Sequence, residues 1–273
     1  MDARLQRRVQ RYGWDLATAA YETRWQAQLA GVQAELLALA ALVPGEQVLD
    51  VACGTGLVSY AAARAVGRTG RVCGVDLSGA MVRAAQVKAL QAPGLPVSFE
   101  RMDAESLVWP EASFDVVLCA LGLMYMPEPE QALREMRRVL RPGGRLVVAV
   151  WGERARCGWA ALFPIVDAEV ASEVCPLFFR LGQPGAPAGW CAETGLVPTA
   201  QQRLRTTLNH PDADDACEAA FVAGPVALAW SRFDAATRER VRARYVEAIA
   251  PFRTGKGYRI PAEFVVVSAV RAA

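Results

Sequence analysis

Three observations predict an α/β fold, doubly wound around a mostly parallel seven-stranded sheet and carrying a helical cap. Short apolar runs alternate with helical patterns between about residues 40 and 151, as they do where crossover helices join parallel strands. A glycine turn, Cys53-Gly54-Thr55-Gly56, directly follows the first run. Beyond Trp151 the alternation gives way to sequence rich in aromatics, cysteine, proline and glycine.

In chain order, residues 22–43 set Leu29, Val32, Leu36, Leu39 and Val43 at spacings of three and four, and Pro44-Gly45-Glu46 stops that helix. Residues 47–52 read as a buried strand, the glycine turn follows, and the alanine-rich Leu57–Val66 reads as a helix. The pattern repeats with strand Arg71–Asp76, helix Gly79–Leu90 and strands Val97–Arg101 and Phe114–Ala120. A helix over 129–140, an Arg141-Pro142-Gly143-Gly144 turn and a strand over 145–151 complete it. Right-handed crossovers would wind these strands into one sheet. Further on, 197–208 and 263–270 read as two more strands, and 212–252 as mainly helical. The division expected is N-terminal helices over 1–43 covering a ligand site, a core over 44–151, and 152–273 holding the remaining strands with cap insertions at about 152–185 and 212–252.

Composition excludes several classes. Lys plus Arg exceed Asp plus Glu by only 30 to 28, so no broad positive field gathers nucleic acid. No segment approaches the roughly 18 unbroken apolar residues of a membrane span. Arg4, Arg7, Arg8 and Arg11 are not followed by the apolar stretch of a secretory signal, so a cytoplasmic location is expected. The seven cysteines are odd in number and never spaced C-x-x-C, which fits free thiols in a reducing compartment.

In an open α/β sheet a ligand binds beyond the carboxyl ends of the strands, where the first strand turns into its helix. Gly54 and Gly56 allow close backbone approach there, and the following helix offers free N–H groups. Asp76 ends the second strand 26 residues after Asp50, where a carboxylate can accept both ribose hydroxyls of an adenosine. Asp103-Ala104 follows the third strand, placed to meet an adenine amino group, and Cys119-Ala120-Leu121-Gly122 ends the fourth with small and apolar residues.

Residues 48–56, 72–77, Asp103-Ala104 and 138–151 together resemble the successive motifs of class I S-adenosylmethionine (SAM)-dependent methyltransferases, whose fold is Rossmann-like. The resemblance is greatest to the ubiquinone/menaquinone-biosynthesis-like small-molecule branch and covers about residues 20–151. It implies that SAM is the cofactor and that Gly54 and Gly56 cradle its amino-acid part, with Ala52 and Thr55 in the same turn. It further implies that Asp50 holds the ammonium through water and Asp76 the ribose, while Leu77 and Met81 pack on the adenine. Asp103 and Ala104 would address the adenine edge, Ala120 or Leu121 would offer a carbonyl, and Tyr21 would cover the methionyl end. Two rivals are a nicotinamide-dependent oxidoreductase and an inactive methyltransferase-like binding protein. The first needs G-x-G-x-x-G/A, and here Ser59 stands in the sixth place, with Asp50 suiting an amino group rather than a pyrophosphate.

Methyl transfer from a sulfonium is an in-line displacement that depends mostly on alignment in a dry site. A general base, where one is needed, falls to the single histidine, His210, with a surface-turn histidine as the plainer reading. Tyr125 would reach the transfer end, and Trp14, Trp25, Phe178, Phe179, Trp190, Phe221 and Trp230 are either pocket lining or core. Arg259, in a basic stretch with Arg253 and Lys256, is the candidate for an anionic substrate group. No metal is expected: the Asp212, Asp214, Asp215 cluster reads as a solvated helix N-terminus. Cys157, Cys175 and Cys217 do not match an arsenite-methylating spacing, and the Asn/Asp-Pro-Pro-aromatic signature of nucleic-acid and protein amino-methyltransferases is absent after the fourth strand. The partner expected is therefore a small molecule, with a homodimer left open.

Overall fold

The computed structural model describes residues 3–170, 175 and 177–272. It begins with one helix, α1 (Ala3–Ala40), of 38 residues where several N-terminal helices were expected. Neither of its internal glycines breaks it. Gly13 lies where α1 meets α8 (Ala227–Arg232), a Cβ there standing 3.7 Å from the Leu228 Cβ, while Gly31 faces open space. The helix ends where Arg145 binds the carbonyls of Ala40 and Ala41 and pairs with Glu46 at 2.7 Å, so the last orphan carbonyls of α1 have a cationic partner.

The following elements are β1 (Gln47–Val51), α2 (Leu57–Val66), β2 (Arg71–Asp76), α3 (Gly79–Leu90), β3 (Val97–Arg101) and β4 (Phe114–Ala120). Next come α4 (Pro129–Val139), β5 (Leu140–Trp151), α5 (Leu162–Val170), α6 (Ala186–Thr194) and β6 (Leu196–His210). The chain closes with α7 (Ala213–Phe221), α8, α9 (Ala235–Ile249), β7 (Arg253–Thr254) and β8 (Gly257–Arg271). The sheet runs β3-β2-β1-β4-β5-β8-β6. All pairs from β3 to β5 are parallel, and β8 lies antiparallel between β5 and β6. The seven expected strands are present, and a two-residue strand, β7, hairpins onto β8 to make an eighth.

Consecutive residues of β4 and β5 are buried, Val116 to Cys119 and Leu146 to Trp151. Both faces of the sheet are therefore covered, as parallel sheets require. The expected Arg-Pro-Gly-Gly turn differs in detail. Leu140 already pairs with Phe114, and the chain bulges before Arg145 resumes with Val116, so the turn is an irregularity inside β5. Gly143, at a φ of 78°, supplies its left-handed residue.

Sequence in 152–185, of which 171–174 and 176 fall outside the described residues, contributes α5 and a set of stacked rings. Trp151 packs on Phe264 at 4.2 Å between centroids, and Trp159 meets Phe178 edge-on at 5.4 Å. Gly182 is wedged against this cluster, and a Cβ there would overlap the Trp151 carbonyl oxygen. Across the cap, Tyr245 of α9 is buried against Phe221 of α7 at 5.2 Å.

These two glycines give opposite expectations. Gly31→Ala stabilises the chain by about 0.5–1 kcal/mol, because an exposed helical glycine is replaced without contact. Gly182→Ala costs about 1–3 kcal/mol through overpacking. Urea unfolding midpoints at unchanged slope measure both.

Candidate active site

Two cavities adjoin at the carboxyl ends of β1 and β4, where the strand order reverses. Ala52 and Leu121 each stand one residue beyond those strands with left-handed φ, 56° and 61°. For non-glycine residues this backbone costs of order 1–3 kcal/mol each and gathers at functional sites. Gly122 sits so close to the Ala52 methyl that a Cβ would overlap it. The two chain exits thus part only because residue 122 has no side chain.

The first cavity is a cleft of about 790 Å³. On its floor, Asp76 accepts hydrogen bonds from the Gly54 N–H at 2.9 Å and the Ser78 N–H at 2.8 Å. Burial pushes its carboxyl up to about 6 against those two bonds, with Asp15 adding to the rise. Ser78 also caps α3, accepting from the Met81 N–H at 3.1 Å, and donates to Asp15 of α1 at 2.6 Å. Leu77, Met81, Asp103, Ala104 and Ala120 complete the expected walls.

A recess of about 290 Å³ opens beside the cleft between Tyr21, Gly54 and Ala120, with Asp50 at its base. Ser59 donates to one oxygen of Asp50, while the other is buried with no hydrogen-bond partner. Burial pushes this carboxyl up to about 7, the Ser59 hydroxyl opposing and Asp76 reinforcing the rise. A buried oxygen lacking a donor is costly, and a donor such as an ammonium would satisfy it.

The roof is α1, whose Arg7, Gln10, Trp14 and Tyr21 recur on one face. Arg7 reaches Glu105 at 2.7 Å, Asp103 at 3.3 Å and Glu128 at 3.0 Å. Burial raises the Glu105 carboxyl, opposed by the Glu128 N–H and by Arg7.

The second cavity, of about 580 Å³, shares Trp14, Tyr21, Leu121 and Tyr125 with the first. Trp14 stands between the two tyrosines, edge-on to Tyr21 at 5.9 Å and to Tyr125 at 5.1 Å. Burial raises both phenols well above their ordinary range, so each stays neutral. Beyond them the walls include Trp25, Trp151, Trp159 and Phe178, with His210 and Tyr245 bringing polar groups among them. The surface-turn reading of His210 does not hold. It is 5% exposed, and its Nδ1 lies 2.7 Å from Asp215, whose other oxygen is bound by Arg24.

Several expected residues stand elsewhere. Thr55 and Gly56 line neither the cleft nor the recess: the Thr55 hydroxyl is buried without a partner, and Gly56 at φ 86° rests on Phe99 and Tyr60. Arg259 is exposed and absent from both cavity walls. The alternation of β8 turns Tyr258 and Ile260 inward and Arg259 out. Phe179 and Trp190 are core, and Phe221 stacks on Trp230 at 4.4 Å. The three clustered acids are engaged separately, Asp212 capping α7, Asp214 pairing with Arg242 and Asp215 holding His210. Gln10, Arg7 and Glu105 were missed, although a helical face through residues 7, 14 and 21 was there to find once α1 is extended to its start.

This sheet order, with an antiparallel strand beside β5 and acids within β1 and at the end of β2, defines a Rossmann-like fold whose switch point carries both cavities. Residues 48–144 match the family described as "Methyltransferase domain". Over 112 residues, 41% of this chain and 46% of the relative, it is 44% identical to the ubiquinone/menaquinone biosynthesis C-methyltransferase UbiE of Ralstonia pickettii (strain 12J). The chain spans about half the length of the curated relatives it matches. Among solved structures it is similar to the YcgJ protein of Bacillus subtilis, with a TM-score of 0.63 at 18% identity over 88% of this chain and 98% of that one. It is also similar to geranyl diphosphate C-methyltransferase of Streptomyces coelicolor A3(2), solved with S-adenosyl-L-homocysteine, with a TM-score of 0.55 at 18% identity over 90% and 80%. Both likenesses establish the fold. No described helix is long and apolar enough to cross a membrane.

The raised carboxyls set the sign of a stability profile. A carboxylate whose folded pKa exceeds its unfolded value stabilises at low pH, and that contribution is lost as pH rises through the folded value. Ligand-free protein therefore loses stability between about pH 4 and pH 7 through Asp50 and Asp76. Asp50→Asn flattens that decline, as melting temperatures across the range will show.

Proposed function

We propose that the chain transfers a methyl group from SAM to a small-molecule acceptor by in-line displacement, releasing S-adenosylhomocysteine. The reading is carried by the buried Asp50 oxygen that lacks a donor, set in a recess continuous around Gly54 with the cleft over Asp76. One ligand with an ammonium at one end and ribose hydroxyls further along would satisfy both acids. SAM, when bound, supplies an already activated methyl group.

In this reading Asp50 holds the ammonium, Gly54 and Ala52 let backbone approach the amino-acid part, and Asp76 takes the ribose. Leu77, Met81, Asp103 and Ala104 surround the adenine, while Ala120 and Leu121 border the sulfur. Tyr21 closes the recess, and Tyr125 stands where the two cavities meet. Residues 1–43 act as the cover of the cofactor site, 44–151 as its core, and 152–273 as the edge strands and substrate cap. The acceptor is a small molecule and not nucleic acid, for the one arginine in the two cavity walls, Arg7, is already paired with acids. Free thiols at all seven cysteines suit the cytoplasm.

SAM should raise the melting temperature while NAD leaves it unchanged, since only a ligand of the native state stabilises it; stabilisation by NAD alone would overturn the reading. Asp76→Asn should weaken SAM binding about 10- to 100-fold by calorimetry, the worth of hydrogen bonds to a charged acceptor. Because Asp50 must be ionised to pair with an ammonium and sits at about 7 in the free protein, SAM affinity should fall about tenfold from pH 8 to pH 6.

A further inference from the structure

We infer that the second cavity receives a neutral, apolar molecule bearing a weakly acidic aromatic hydroxyl, with His210 as the base that takes its proton and Asp215 and Arg24 as positioning residues. The inference rests on the reading of the adjoining cleft as the SAM site, and three observations carry it.

The cavity shares Trp14, Tyr21, Leu121 and Tyr125 with the cleft, so ligands in the two spaces meet across one boundary. Its walls hold no Lys, Arg, Asp or Glu side chain, and a charged acceptor would lose its hydration there without a counter-ion. Two polar atoms then stand unsatisfied. Trp159 Nε1 is buried with no hydrogen-bond partner, a donor directed to no protein acceptor. Among the described residues, nothing hydrogen bonds to His210 Nε2 either, while Nδ1 is fixed on Asp215.

Asp215 is the acceptor in that pair, its other oxygen being bound by the Arg24 guanidinium. The ring proton therefore sits on Nδ1, and Nε2 keeps a lone pair. An aromatic hydroxyl answers both vacancies: its O–H donates to Nε2, and an oxygen of the same molecule accepts from Trp159. The charged and titratable groups around the imidazole are Asp215 and Glu218 on α7, Arg24 on α1, Tyr258 across the β8 pairing and Tyr245 on α9.

The step balances. The acceptor oxygen bonds to the methyl carbon as the carbon–sulfur bond breaks, its proton passes to Nε2, and the imidazolium later returns that proton to solvent. The products are a methyl ether and S-adenosylhomocysteine.

SAM binding is recorded first for every protein by calorimetry, so failure of the cofactor reading is seen separately. With 2-naphthol as probe, S-adenosylhomocysteine release is expected, at least tenfold better than with anionic 4-hydroxybenzoate or cationic tyramine. His210→Gln should lower kcat at least about 100-fold with SAM affinity unchanged. Asp215→Asn should lower kcat and move the ascending limb of the pH–rate profile to lower pH, because the imidazolium loses its counter-ion. Since this is the chain's one histidine, its ¹⁵N resonances in untagged protein are unambiguous. Nε2 should shift when 2-naphthol is added to protein saturated with S-adenosylhomocysteine. In a protein that binds SAM, any of four results overturns the inference: no turnover of 2-naphthol, equal turnover of the charged probes, full activity in His210→Gln, or an unmoved Nε2 resonance.

Discussion

Helix α1 lies across the carboxyl edge of the sheet and walls both cavities, and charged contacts spaced along it hold it there. Arg7 grips the acids after β3 and β4, and Asp15 joins the Ser78 cap of α3. Glu22 meets Lys88, and Arg24 binds Asp215 and Glu218. Apart from the buried Glu105, the partners are part-exposed and each such pair is individually worth little. Together they set one rigid element over two neighbouring sites, with the apolar half of the helix, from Trp25 to Ala40, sunk in the core. Remove the helix and neither cavity has a roof.

The core of the sheet was legible because its strands announce themselves in two ways at once. Val72 to Val75 and Val116 to Cys119 are unbroken apolar runs, and each is bounded by glycine, proline or an acid. Asp50 was legible for the opposite reason, as an acid inside such a run, which a sequence accepts only for a purpose. The full length of α1 was hidden by the arginines of its first turns. The partners of Arg7, Glu105 and Glu128, lie some hundred residues away in sequence, and no local pattern joins them. Thr55 and Gly56 were placed with the ligand because glycine turns serve both ligand approach and packing, and the rings of Phe99 and Tyr60 beside Gly56 leave no space for a Cβ there. Arg259 was misread because the strand was taken to start at 263, after that arginine. With β8 beginning at Gly257, simple alternation turns it outward.

The cap was the least legible part, and its rings show why. Phe178 and Trp159 are core residues that also line the second cavity, while Phe179, the neighbour of Phe178 in sequence, is core but absent from that cavity. Residue type is the same in each case; only the position of a strand end and of Gly182 against Trp151 decides. The histidine is similar. Its turn-like surroundings, Asn209-His210-Pro211-Asp212, suggested exposure, but β6 runs on to His210 and pairs it with Tyr258. The strand's last residue is thereby delivered into the interior.

The boundary between the cavities, made by Trp14, Tyr21, Leu121 and Tyr125, has a kinetic meaning. Two of those four residues belong to α1, so any molecule leaving either chamber by way of that helix disturbs the wall of the other. Residence times on the two sides are then not independent quantities: whatever loosens the Arg7 end hastens exchange in both, and a tightly held guest on one side slows traffic on the other.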